Sequence, residues 1–197
     1  MAYDRDGPRL APLFASRGYV LHPTVSHSRE WGVKRLIYTH ARHAFKVDVF
    51  LDQLVMAHTI DLVGRLELDS QTVPLADLLL SKLQIHRITE NDLIDLIVLL
   101  AEQEIADGHQ AIEGRRLQEV LGSDWGFWYG ALQNLEALAS AIDRLPAVPD
   151  EVRSTVSGRI VQLRTVIQAA PKTTRWRLRA RLGTRVSWYE DVEDIDV

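Results

Sequence analysis

A carboxylate on a strand, then a lysine and two aspartates at helical spacing, make the stretch from Lys46 to Asp95 the part of this chain best equipped for chemistry. The stretch opens on the alternating run Lys46-Val-Asp-Val-Phe-Leu-Asp and closes on apolar segments carrying Lys82, Asp92 and Asp95. Such a set suits phosphates and a hard metal. Transfer of a nucleoside monophosphate from a triphosphate needs carboxylates to hold one or two Mg²⁺ ions, which prefer oxygen ligands. It needs cations to neutralise the triphosphate, and a group that orients or deprotonates the attacking hydroxyl. Asp48 could supply a metal carboxylate from a rigid strand, and Lys82 the positive charge. Asp92 and Asp95, three residues apart, share a helix face and could act together.

Each of these residues also has an ordinary structural reading. Asp48 could be a solvent-facing strand residue. Lys82 could be a lysine whose stem lies on apolar surface while its head stays in water. Asp92 suits a helix cap. Asp95 is harder to explain in this way, because it interrupts the apolar run Leu93-Ile-Asp-Leu-Ile-Val-Leu-Leu. A half-buried carboxylate there requires a cationic partner, and Lys82 is the natural candidate.

The elements that must position these residues follow from pattern. Residues 7–18 read as a short helix, with Asp6 as N-cap and Gly18 past its end. Tyr19 to Leu21 reads as a brief strand, and 22–34, with His22, His27 and Trp31, as irregular. Residues 35–40 and 45–52 alternate and form a hairpin. Val47, Val49 and Leu51 share one face, and Lys46, Asp48, Phe50 and Asp52 the other. A third extended segment covers 58–68, with Gly64 as a bulge. Helices follow over 74–85, 89–103, 111–121, about 124–144 and 150–170. In the second of these, Thr89 and Asp92 form a near capping box. The expected fold is α+β: a small mixed or antiparallel sheet in the N-terminal half, then a helical C-terminal half. The regions are 1–73, 74–170 and 171–197, the last a basic segment with an acidic tail packing back on the body.

Composition narrows the classes. The chain has 197 residues, 46% hydrophobic and 25% charged, ordinary values for a soluble globular protein. No run approaches the ~18 apolar residues of a membrane helix, so no membrane partner is expected. The opening Met-Ala-Tyr-Asp-Arg-Asp is unlike a secretion signal. The absence of cysteine excludes disulfides, thiol nucleophiles and Cys-ligated zinc, and fits a cytoplasmic location. A net charge of −4 excludes general nucleic-acid binding by the whole surface. The histidines show no helical zinc spacing.

Four blocks together resemble the nucleotidyltransferase superfamily, nearest the AbiE-type toxins of toxin–antitoxin systems and related uncharacterised bacterial proteins. They are Lys46-Val-Asp-Val-Phe-Leu-Asp, Ala57-His-Thr-Ile-Asp-Leu-Val-Gly-Arg-Leu, Leu75-Ala-Asp-Leu-Leu-Leu-Ser-Lys-Leu-Gln and Asn91-Asp-Leu-Ile-Asp-Leu. The resemblance covers roughly residues 45–103. It implies that Asp48 is the third metal carboxylate and that Lys82 meets the nucleotide phosphates. Asp92 and Asp95 would fill an Asp-x-x-Asp motif, with Asp95 orienting Lys82 or acting as base. The implied cofactors are Mg²⁺ and an NTP, and the acceptor is a hydroxyl of an RNA, a protein or a small molecule.

One departure is plain. The family's Gly-Ser pair and following Asp-x-Asp do not precede Asp48. The only early Asp-x-Asp is Asp4-Arg-Asp6, directly before Gly7-Pro8 and better suited to starting a helix. The chain is therefore read as a truncated or degenerate nucleotidyltransferase, or as a non-catalytic nucleotide- or partner-binding module of that fold. Two further features stand outside the site. Arg175, Arg177, Arg179, Arg181 and Arg185, with Lys172, Trp176 and Trp188, form a basic aromatic segment that either contacts RNA or nucleotide phosphates or docks on the acidic tail. The aromatic run from Trp125 to Tyr129 is a candidate dimerisation surface.

Overall fold

The computed structural model describes residues 1–22 and 35–190. It divides into two compact units: Met1–Val55 with Thr59–Ser70, and Met56–His58 with everything from Gln71 onward. Sheet dominates the first and helix the second, so the chain is α+β.

In the first unit a 3-10 turn, Asp4–Asp6, leads into α1, Gly7–Ala15. Asp6 holds the N-cap position of α1 but makes no side-chain cap bond. Strands β1 (Tyr19–Leu21), β2 (Arg35–His40) and β3 (Lys46–Phe50) form an antiparallel sheet in that order. Phe14 of α1 stacks on Tyr38 of β2 at 4.0 Å, closing α1 over the sheet. Leu36, Ile37 and Tyr38 are consecutive and all buried, so both faces of β2 are covered.

Two expectations fail here. The alternation read through Asp52 stops at Phe50, because Asp52 takes φ +59° and turns the chain. Asp tolerates that left-handed conformation better than most residues. The single extended segment over 58–68 shrinks to β5 (Thr59–Asp61), which pairs antiparallel with β4 (Gln53–Val55) and is followed by turns. Gly64, with φ +72°, lies in those turns and not at a bulge.

The second unit is built from α2 (Leu75–Leu83), α3 (Glu90–Glu102), α4 (Gly114–Ser123), α5 (Trp125–Ile142), α6 (Asp150–Gln168) and α7 (Thr174–Leu182). A two-residue parallel pairing, β6 (Ile105–Ala106) with β7 (Ile112–Glu113), joins α3 to α4. Val156, Ile160, Leu163 and Ile167 repeat along α6 at helical spacing and are all buried, which is the pattern of an amphipathic helix facing a core. Leu79, Leu80 and Leu83 of α2, Leu96 and Leu100 of α3 and Leu117 and Leu121 of α4 complete that core. Arg159 of α6 donates to the carbonyls of Leu100 and Ala101, satisfying acceptors left open at the end of α3. Gly122 is required by close passage: a Cβ there would lie 2.3 Å from the Pro171 carbonyl oxygen.

The basic segment is helical. Thr173 caps it by accepting from the Trp176 N–H, and Gly183, at φ +56°, ends it. The acidic tail, and most of the irregular segment that includes His27 and Trp31, lie outside the described residues. Among the described residues no helix is long and apolar enough to cross a membrane.

Candidate functional site

Lys82 sits in the last turn of α2, a helix of leucines whose buried face fixes the side chain's direction. Its partners come from the start of α3. Thr89 and Asp92 make a reciprocal capping box: Thr89 Oγ1 accepts from the Asp92 N–H, and Asp92 Oδ2 accepts from the Thr89 N–H at 3.1 Å and from the Thr89 hydroxyl at 2.7 Å. The box leaves Asp92 Oδ1 to accept from Lys82 Nζ at 3.1 Å. Asp95, one turn on, approaches the same ammonium at 2.6 Å through Oδ2. The anticipated Lys82–Asp95 pair is present, and Asp92 is both cap and ion partner.

Burial alone would lower the Lys82 pKa. The hydrogen bonds that it donates to Asp95 and Asp92 outweigh it and hold the ammonium above its ordinary value. Burial would likewise raise Asp92, but the bonds from Thr89 and Lys82 pull it below the usual carboxylate value. The cluster is therefore a fixed ammonium between two carboxylates. An ammonium has three donors. Two are engaged here, and the side chain keeps 27% of its surface open. One expectation is corrected: Asp95 is not half-buried, since its side chain is 57% exposed. The register of α3 buries Leu96, Ile97 and Leu100 and turns Asp95 outward with Ile94 and Val98.

Asp48 belongs to the first unit. Its Oδ2 accepts from Arg35 Nη2 at 2.7 Å, and that guanidinium also lies 5.2 Å over the Phe50 ring. Ile37, fully buried, sits opposite Asp48 in the ladder, so the carboxylate lies on a covered face of the sheet. Its Oδ1 is buried with no hydrogen-bond partner among the described residues. That oxygen is the freer of the two to meet a metal. Mg²⁺ takes several oxygen ligands in near-octahedral geometry. Asp48, already neutralised by Arg35, does not make such a site by itself. Among the described residues no group of three or more potential ligands is gathered for a metal. Asp4 and Asp6 lie in the 3-10 turn: the Asp4 N–H donates to Asp52 Oδ1 at 2.9 Å, and Asp6 pairs with Arg9 at 3.7 Å. An open cleft of about 630 Å³ in the first unit is bordered by Asp4, Asp52 and Glu67.

Sequence reading missed a second polar cluster in the helical unit. His58 is buried, stacked on Phe127 at 4.8 Å, and its Nδ1 lies 3.2 Å from Asp124 Oδ2. The His58 N–H donates to Gln84 Oε1, and Asn134 donates to the carbonyls of Leu83 and Ile85. Asp124 is also the N-cap of α5, accepting from the Phe127 N–H at 3.0 Å. Its pKa would be raised by burial, but the His58 hydrogen bond and the helix N–H groups pull it below the usual value. A signal existed in Asp124 as a cap before an aromatic turn, but nothing in the sequence linked it to a histidine 66 residues away.

A depressed carboxylate adds stability that is full above its unfolded pKa of about 3.9 and is lost as pH falls through the folded value. Asp124→Ala should cost about 1–2 kcal/mol at neutral pH through the lost cap. The gap to wild type should narrow below about pH 4. Thermal melts between neutral and acid pH check this, and a gap that stays constant would refute the assignment.

The aromatic run folds inward. Trp125 and Phe127 are buried, Trp125 stacks on Tyr129 at 5.2 Å, and Tyr129 meets Trp188 edge-on. Trp125 and Phe127 are therefore core residues, while Trp128 and Tyr129 stay half-buried.

Compared with known protein families, with characterised proteins and with solved structures, the chain matches none.

Proposed function

We propose that the chain is nucleotidyltransferase-like and engages a nucleoside triphosphate, with Lys82 as its phosphate contact. The observation that carries this reading is the fixed ammonium between Asp92 and Asp95. Two carboxylates orient it and keep it charged, and its remaining donor suits a phosphate oxygen. With an oxygen at 2.6 Å from the ammonium, Asp95 orients Lys82 and is poorly placed to act as base. In a complete transfer the acceptor hydroxyl oxygen bonds to the α-phosphorus, pyrophosphate leaves, and the hydroxyl proton passes to a base. The acceptor class is a hydroxyl of RNA, protein or a small molecule. No step is assigned to Mg²⁺, because Asp48 with Arg35 on one oxygen does not hold that ion unaided.

Calorimetric titration with ATP and GTP, with and without Mg²⁺, tests the proposal. Lys82→Ala removes a charged contact and leaves two carboxylates facing the phosphates. Affinity should fall about tenfold or more. Pyrophosphate release separates an enzyme from a binding module. Absence of triphosphate binding by wild type, or equal binding by Lys82→Ala, defeats the reading.

A further inference from the structure

Two helix faces in the second unit are left uncovered, and they complement one another. On α7, Leu178 and Leu182 are one turn apart and 55% and 50% exposed. Arg175 flanks them on one side and Arg177 and Arg181 on the other, as helical periodicity requires. All three arginines are exposed, and no ion pair engages them among the described residues. On α3, Ile94 and Val98 have the same one-turn spacing and are 43% and 57% exposed. Glu90 lies on one side of that pair and Glu102 on the other. Both are exposed and have no cationic partner among the described residues. Among the described residues of this unit, these are the helices that expose a large apolar pair at this spacing.

We propose that α7 of one copy of this chain docks on α3 of a second copy. Leu178 and Leu182 meet Ile94 and Val98, and the flanking arginines meet Glu90 and Glu102. Burial of the four aliphatic side chains supplies the attraction. The opposite charges at the rim set orientation and exclude the like-charged pairings α7 on α7 and α3 on α3. A nucleic-acid strand suits the arginines but leaves two leucines against a phosphate backbone. The acidic and apolar complement present on α3 makes a second copy the better occupant. This inference is independent of the nucleotide reading.

Sedimentation velocity over about 10–300 μM tests it, a range chosen because two small helix faces bury less than a standard interface. Wild type should sediment faster as concentration rises, and the effect should weaken in about 0.5 M salt, roughly three times physiological ionic strength, where the Debye length is short. Arg175→Glu with Arg177→Glu and Arg181→Glu should stay monomeric, because it sets acidic flanks on α7 against an acidic α3. Glu90→Lys with Glu102→Lys should stay monomeric for the converse reason. An equimolar mixture of the two variants should associate, since each then meets a face of opposite charge. This rescue cannot arise from misfolding. The proposal is overturned if wild type is monomeric throughout, if either variant associates as wild type does, or if the mixture fails to associate. A monomeric wild type that binds polyuridylate through α7 would assign the face to nucleic acid instead.

Discussion

Replacing Asp77 with alanine is expected to lower the unfolding free energy by about 3–5 kcal/mol, the loss typical of removing one member of a buried ion pair. Asp77 lies in the first turn of α2, where a carboxylate also suits the helix dipole. Its side chain is 1% exposed and accepts from Arg116 Nε of α4 at 2.8 Å. Alanine leaves the guanidinium, itself 13% exposed, without that charge in the interior. The pair adds little net energy over an apolar contact, because desolvating both ions offsets most of their attraction. Asp77→Leu combined with Arg116→Met should therefore recover most of the loss. Urea unfolding of the two single variants and the double variant gives the coupling energy. A loss below about 1 kcal/mol for Asp77→Ala would mean that Arg116 finds other partners readily.

Asp77 also shows what the sequence reveals and what it conceals. It stands inside a leucine-rich helix that is easy to read, yet its partner is 39 residues away. No local pattern announces such a contact. The readable features are local ones. The Thr89–Asp92 capping box depends on four consecutive residues, and Lys82 with Asp95 depends on two adjacent helices whose apolar faces fix their directions. Those features were legible, as were the β2–β3 hairpin and the helical second half. The apolar run of eight residues around Asp95 implies a half-buried carboxylate, yet its side chain is 57% exposed. The structure buries one stripe and exposes Ile94 and Val98. The sequence offers Asp48 as a solvent-facing strand residue. The fully buried Ile37 opposite it shows that both faces are covered, and Arg35 is the cation that makes its position tolerable. In α7, the alternating arginines give no period that marks a helix. Arginine places its long stem on many surfaces, and the Thr173 cap and the Gly183 stop are better guides to the helix.

Phe127→Ala should lower stability by about 3–5 kcal/mol, the usual range for removing a buried aromatic ring. Phe127 is 1% exposed in the first turn of α5. Its ring lies nearly parallel to the His58 ring, at 6°, with centroids 4.8 Å apart. The loss therefore exceeds one side chain's transfer energy: it opens a cavity and removes the surface that holds His58 toward Asp124. Two further variants separate these effects. Phe127→Leu refills most of the volume without a ring and should cost about 1.5 kcal/mol or somewhat more, near the upper end for hydrophobic swaps. Combining Phe127→Ala with Asp124→Ala should cost less than the sum of the two, because the first change already loosens the His58 contact that the second removes. Denaturant midpoints at constant m-value measure all of these. Strict additivity would show that the ring only fills space, and that His58 is held by Gln84 and Asp124 without it.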